Sequence, residues 1–186
     1  SSRGTSRGSA FGQERTNYMS VLIDKDILWL LQDHGAIRPW TTERVQPASY
    51  DLSLGPIMKR WHKDQWMEFS ITENGYSLPK NELLLFTTQE YVMMPPGIAG
   101  RIEGKSSIAR RGVFIHATAG WIDPGFQGEI TLEFLHVGPT DVRVYAGMPV
   151  CQIAFFQCSG EASKPYGSDG LGSHYQGQRG ATESRA

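Results

Sequence analysis

Cysteine is nearly absent from this chain. Only Cys151 and Cys158 occur, and their spacing fits neither a CxxC redox pair nor a pair of zinc ligands. An odd separation puts them on opposite faces of one strand, where they read as small buried thiols in a reducing cytoplasm. Apolar runs are short as well. None approaches the ~20 residues that a membrane-spanning helix needs, and no signal peptide is visible. An excess of charge of one sign is also missing, since the formal net charge is −1. That excludes nucleic-acid binding by bulk charge and leaves an anionic ligand to local cations and backbone amides. GxSxG, P-loop and GxGxxG motifs are absent too.

What the chain has in quantity is turn formers. Its 186 residues include 21 glycines and 10 prolines, the composition of a β-rich chain. Its 39% hydrophobic content suffices for the core of one domain. Residues 1–18 are rich in Ser, Gly and Arg without periodicity, and are expected to be a disordered tail or an expression scar. The domain is expected over 19–160, followed by a polar, Gly-rich segment over 161–186. "LIDKDILWLLQDHGAI" predicts a helix capped by Asp24, buried through Ile27, Leu28, Leu30 and Leu31, and stopped by Gly35. After it the period changes. Strands are expected in 49–55, 81–94, 98–104, 113–118, 128–134, 141–147 and 150–157, with a hairpin excursion in the polar stretch 61–80. Short strands at this spacing, broken by Gly and Pro, predict an all-β sandwich or barrel.

Three stretches carry residues suited to chemistry. In "GKSSIARRG" (104–112), Ser106 or Ser107 can cap a short helical turn, leaving free N–H groups at its positive end for a phosphate. Lys105, Arg110 and Arg111 add cations nearby, although a capped turn with a solvated basic face accounts for the same residues. In "WIDPGFQG" (121–128), Asp-Pro-Gly is a strong turn former. Asp123 stands at its tip, able to bind a hydroxyl or orient a water, and Phe126 offers an aromatic face to a sugar ring; a turn alone also explains the pattern. In "GEITLEF" (128–134), a period of two puts Glu129, Thr131 and Glu133 on one face and Ile130, Leu132 and Phe134 on the other. If the polar face lines a pocket, Glu133 is a candidate general base; otherwise it belongs to the outward face of a half-exposed strand. His34, His62, His116, His136 and His174 form neither an HxxxH nor an HxE…PCxxC arrangement. That excludes the zinc-deaminase class and leaves a hydrolase here to work without zinc or another protein-bound catalytic metal.

Five pieces in order, "VQPASYDLSLG" (45–55), "GKSSIARRG" (104–112), "TAGWIDPGFQGEITLEF" (118–134), "GMPVCQIAFF" (147–156) and "PYGSDGLGSHYQGQRG" (165–180), resemble the dCTP deaminases of the trimeric dUTPase superfamily. The resemblance covers most of the chain from Met19 onward. It implies a distorted β-barrel of jelly-roll type with an N-terminal helix, and a homotrimer with sites at the subunit interfaces. It also implies dCTP as the substrate, with Mg²⁺ on its phosphates, and no nucleic-acid or membrane partner. Lys105, Ser106, Ser107, Ile108, Ala109 and Arg110 match the family's triphosphate-binding motif. Asp123 and Thr131–Leu132–Glu133 match its nucleoside-binding segment, and Gln152 matches a phosphate- or base-contacting position. Tyr166 and Gln178 match the C-terminal segment that folds over the nucleotide. His174 stands where a lysine is usual, so a phosphate contact there would be weaker and pH-dependent. Inhibition by dTTP, through rearrangement near His116, is implied as well.

The residue types suit the implied chemistry. Deamination adds water at C4 of cytosine and moves protons to N3 and to the leaving ammonia, a task for Glu133 as proton shuttle. Ser106, Arg110 and the Ala119 carbonyl would position the water and stabilise developing charge, and Phe126 under the sugar would leave no room for a 2′-hydroxyl. One departure stands out. Family members that release dUTP carry His-Arg after the alanine, whereas those that also cleave the triphosphate carry Gly and an aromatic, as Gly120–Trp121 do here. The expected activity is therefore conversion of dCTP to dUMP, ammonia and diphosphate for dTMP synthesis. The alternatives are a deaminase that stops at dUTP, a dUTPase alone, and a nucleotide-sensing regulator.

Overall fold

The computed structural model describes residues 20–185; the expected tail over 1–18 and the domain start at Met19 lie outside them. A two-residue strand β1 (Ser20–Val21) leads into helix α1 (Asp24–His34). Gly35 ends the helix in the left-handed conformation, with its N–H on the Leu30 carbonyl. The start differs from expectation. Asp24 is the first helical residue, and Ile23 holds the capping position, its N–H donated to the Asp26 carboxylate at 3.4 Å. An isoleucine side chain has no acceptor, so only that reciprocal half of a capping box exists. The buried stripe narrows to Ile27, Leu30 and Leu31, with Leu28 half-buried.

The remaining strands are β2 (Ile37–Arg38), β3 (Val45–Gln46), β4 (Ser49–His62), β5 (Gln65–Ser70), β6 (Tyr76–Ser77), β7 (Leu83–Met93), β8 (Ile98–Gly104), β9 (Val113–Phe114), β10 (Trp121–Ile122), β11 (Gln127–His136), β12 (Arg143–Val144) and β13 (Pro149–Gln157), with a four-residue helix α2 (Ser106–Ala109) after β8. The principal sheet runs β10–β8–β13–β4–β7–β11–β9, all neighbours antiparallel, and curls into a half-barrel. The curl comes from β4, which the sequence predicts only to Gly55. Its first residues pair with β13, it meets β7 from Leu54 onward, and the part beyond Pro56 also pairs with β5. Pro56 has no N–H to give, and the register shifts between Leu54 and Met58, so the strand bends from one half of the sheet into the other. The expected hairpin excursion is β4–β5, turned by Lys63 and Asp64, both at positive φ.

Two expected strands are much shorter. In 113–118 only Val113–Phe114 pair; the Ala117 N–H goes to a carboxylate of β11 instead of a neighbouring strand. In 141–147 only Arg143–Val144 pair, because a turn takes over in which Met148 N–H bonds to the Tyr145 carbonyl. Cys158 lies one residue beyond β13, not on its opposite face from Cys151. Cys151 is buried, which pushes its thiol up, Cys158 is half-buried, and both are free. No helix among the described residues is long and apolar enough to cross a membrane.

The core is built from Tyr50, Leu52 and Leu54 of β4 with Phe86, Phe134, Ile153 and Phe155; the Phe86 and Phe134 rings lie 4.6 Å apart. The alternate face of β4 is buried too. Ser53 donates its backbone N–H and its hydroxyl to Glu90, at 2.8 and 2.6 Å. Burial raises the Glu90 carboxyl above its ordinary range, against the Ser53 hydrogen bonds that lower it. A carboxyl raised in the fold contributes stability that is complete below its unfolded pKa and is lost as pH rises through its folded pKa. Glu90→Gln removes that titration. Its urea midpoint should gain on the wild type as pH rises from the ordinary carboxylate range toward neutrality; a difference that stays flat contradicts a Glu90 carboxyl raised by the fold.

Candidate active site

The Asp-Pro-Gly turn joins β10 to β11. Gly125 takes φ +89°, and a Cβ there would come within 2.5 Å of Pro165, so the turn requires glycine for conformation and for contact. The Tyr166 N–H bonds to the Pro124 carbonyl at 2.8 Å, and the Tyr166 ring packs 5.7 Å from that of Phe126. The start of the C-terminal segment is thereby fastened to the turn. Between them opens a cavity of about 760 Å³.

Nine of the candidate residues meet at this cavity. Ala119, Trp121, Asp123 and Phe126 come from the turn and its approach, Thr131 and Glu133 from β11, and Tyr166, His174 and Gln178 from the C-terminal segment. The alternation along β11 is as expected: Ile130, Leu132 and Phe134 are buried, while Glu129, Thr131 and Glu133 are half-exposed. Leu132 thus faces the core and not the cavity. The Glu133 Oε2 accepts the Ala117 N–H at 3.1 Å, which ties the carboxylate to the loop that carries Ala119. Gln178, a wall residue, donates from Nε2 to the Glu129 carbonyl at 2.7 Å, while its Oε1 is buried without a partner. A buried acceptor with an open valence is costly unless a ligand or water meets it. A smaller cavity of about 400 Å³ adjoins the first, sharing Asp123 and Tyr166 and reaching Lys164.

A second group gathers elsewhere on the chain. α2 begins after Lys105, which holds its capping position; neither Ser106 nor Ser107 caps it. Lys105 forms an ion pair with Asp51, whose Oδ1 is buried without a partner. Gln152 pairs across from Asp51 and accepts the Ser49 hydroxyl at 3.0 Å. Ser106, Ser107, Ala109 and Arg110 are exposed, and Ile108 is in the core. None of residues 105–110 lines the 760 Å³ cavity, and neither does Gln152.

Gly120 and His116 lie behind the wall. A Cβ at Gly120 would meet the Ile102 carbonyl at 2.9 Å and the His116 ring at 3.1 Å. That ring contacts the same carbonyl through Nε2 at 3.0 Å, and its Nδ1 is buried without a partner. Trp121 projects outward, half-exposed, 5.8 Å from the Phe156 ring. Sequence inspection missed Trp66, Leu83 and Leu85, which wall the cavity beyond Glu133, because the pairing of β7 with β11, and of β5 with β4 beside β7, is long-range. It also missed Asp51, although an aspartate inside the alternating run "YDLSL" is a signal. Among the described residues, no three His, Cys, Asp or Glu side chains converge as a metal cage.

The model of the dCTP deaminase-like family matches residues 21–158. The chain is 43% identical over 181 residues to a protein of Bifidobacterium longum called dCTP deaminase, dUMP-forming, covering 89% of this chain and 94% of that protein. Proteins of the same name from Corynebacterium glutamicum and Thermobifida fusca are 40% and 38% identical, each over 89% of this chain, and over 96% and 92% of their own lengths. The crystal structure of a 2′-deoxycytidine 5′-triphosphate deaminase from Agrobacterium tumefaciens has the same fold, with a TM-score of 0.65 at 22% identity over 75% of this chain. This chain spans about half of that longer one, 48% of its length.

Proposed function

Because this chain belongs to the dCTP deaminase-like family, we propose that it deaminates dCTP and cleaves the resulting triphosphate, yielding dUMP, ammonia and diphosphate for dTMP synthesis. The observation that carries the proposal is the Glu133 carboxylate, fixed by the Ala117 N–H in a cavity that also holds Ala119, Asp123 and Phe126. A water held near Glu133 adds to C4 of the cytosine as the carboxylate takes its proton and passes it to N3. Glu133 then takes the C4 hydroxyl proton and gives it to the exocyclic nitrogen, C4=O forms as the C4–N bond breaks, and ammonia leaves. The Ala119 carbonyl orients the water. Phe126 packs under the deoxyribose, Asp123 binds its hydroxyl, and the backbone of Thr131–Leu132 reads the base.

The separation of residues 105–110 and Gln152 from the cavity supports a shared site. In a homotrimer, Lys105–Arg110 and Gln152 of one subunit would bind the phosphates of a nucleotide seated in the next, with Ser106 and Arg110 reaching the reacting centre. His174 and Tyr166 would close on the phosphates from the C-terminal segment. Mg²⁺ arriving on the triphosphate would neutralise its charge. The His116 ring, packed on Gly120, is the point at which dTTP would act. The enzyme would work in the cytoplasm. Ammonia release should be about 100-fold faster from dCTP than from CTP at equal low concentrations, since the discrimination rests on excluding a 2′-hydroxyl. No ammonia from dCTP, or equal rates with CTP, would overturn this function.

A further inference from the structure

The C-terminal segment meets the barrel through contacts that the proposed chemistry does not use. It runs beside the outward face of β11, and Gln178 pairs with Gly128 in a parallel bridge. The Glu129 carboxylate accepts the Gly180 N–H at 2.6 Å and Arg179 Nη1 at 3.1 Å. The Arg179 guanidinium lies 4.0 Å from the centroid of the Tyr91 ring. Two residues on, the Thr182 N–H reaches the Thr131 hydroxyl at 3.1 Å, and Glu183 then forms an ion pair with Lys59. Lys59 is opposite Leu85, and Leu85 is opposite Glu133, across three adjacent strands. The Lys59–Glu183 pair therefore stands at the end of the cavity walled by Leu85, Thr182 and Ser184.

We propose that Glu129 and Lys59 are positioning residues that latch the C-terminal segment shut over the nucleotide, Glu129 at its middle and Lys59 at its end. This rests on the cavity being the nucleotide site and adds what holds its cover. Three outward residues of β11 divide the work: Glu129 and Thr131 take the strap, and Glu133 is left to the cavity. Glu129 makes the stronger anchor, because its two contacts are charge-assisted and adjacent. The Lys59–Glu183 pair is partly exposed, and such pairs are weak. A weak end-latch suits a cover that must open to release product at each turnover. The Lys59 ammonium holds the Glu183 carboxyl below the usual carboxylate range, so the pair stays charged at neutral pH.

The test uses the full chain and two readouts: hydrogen exchange of the amides in 178–184 without nucleotide, and steady-state ammonia release from dCTP with Mg²⁺. Lys59→Glu and Glu183→Lys should each speed exchange and raise KM about two- to fivefold, with less change in kcat. Combining them restores the pair with reversed polarity and should return both readouts to near wild type. Glu129→Gln should raise KM by about tenfold. A Lys59 that merely supports β4 would not be rescued by Glu183→Lys. Wild-type exchange in Lys59→Glu, or a double variant no better than its parents, would overturn the latch. The exchange readout needs no turnover, so a chain inert toward dCTP would refute the proposed function while leaving the latch tested separately.

Discussion

Glu133→Gln is expected to lower ammonia release from dCTP by about 100- to 10,000-fold, the range for losing a positioned acid–base group, while nucleotide affinity stays near that of the wild type. The amide has the shape of the carboxylate, and its oxygen can still accept the Ala117 N–H that fixes Glu133. Leu132 and Phe134, its neighbours in the core, are undisturbed, so the fold has no reason to respond. What is lost is the capacity to take a proton from water and return it to the leaving nitrogen. Equilibrium binding of dCTP with Mg²⁺ and single-turnover ammonia release measure the two sides separately. Near-wild-type release from the variant would remove Glu133 from the chemistry.

Deleting residues 166–186 is expected to abolish most activity while the truncated chain keeps the assembly state of the full one. β13 ends at Gln157, and the core lies almost wholly before that residue, so folding does not need the segment. The cavity does. Tyr166, His174, Gln178 and Thr182 are part of its wall, and Tyr166 both packs on Phe126 and bonds to the turn carbonyl of Pro124. Without them the cavity opens to water, and the closure that completes the site cannot occur. Sedimentation showing a smaller species, or full turnover in the truncated chain, would contradict this.

Much of the site was legible because it is local. The period-two pattern of "GEITLEF" fixed which residues of β11 face outward, and Asp-Pro-Gly announced its turn; both depend on backbone geometry within a few residues. What escaped the sequence depends on distant pairing. Leu85 reaches the cavity because β7, distant in sequence, pairs with β11 and sets it opposite Glu133, and Trp66 because β5 pairs with the part of β4 beyond Pro56, which lies on β7. Nothing local to "SYDLSLG" shows that Ser53 is buried against Glu90, 37 residues away. The serines of "GKSSIARRG" look like caps in sequence, but Lys105 takes that position and spends its charge on Asp51.

The claim that this protein performs two hydrolyses rests on Gly120–Trp121, and product partition tests it most directly. Close packing accounts for Gly120 by itself: any side chain there would press on the Ile102 carbonyl and the His116 ring. Trp121 is different, because it is half-exposed on the cavity wall two residues before Asp123. We propose that Gly120–Trp121 leave room beside the α-phosphate for a water that Asp123 orients. Dilute protein with excess dCTP and Mg²⁺, quenched at early times, should then give dUMP and diphosphate in step with ammonia, with little free dUTP. Accumulation of dUTP in step with ammonia, with dUMP never appearing, would make the protein a simple deaminase and contradict the role given to Gly120–Trp121.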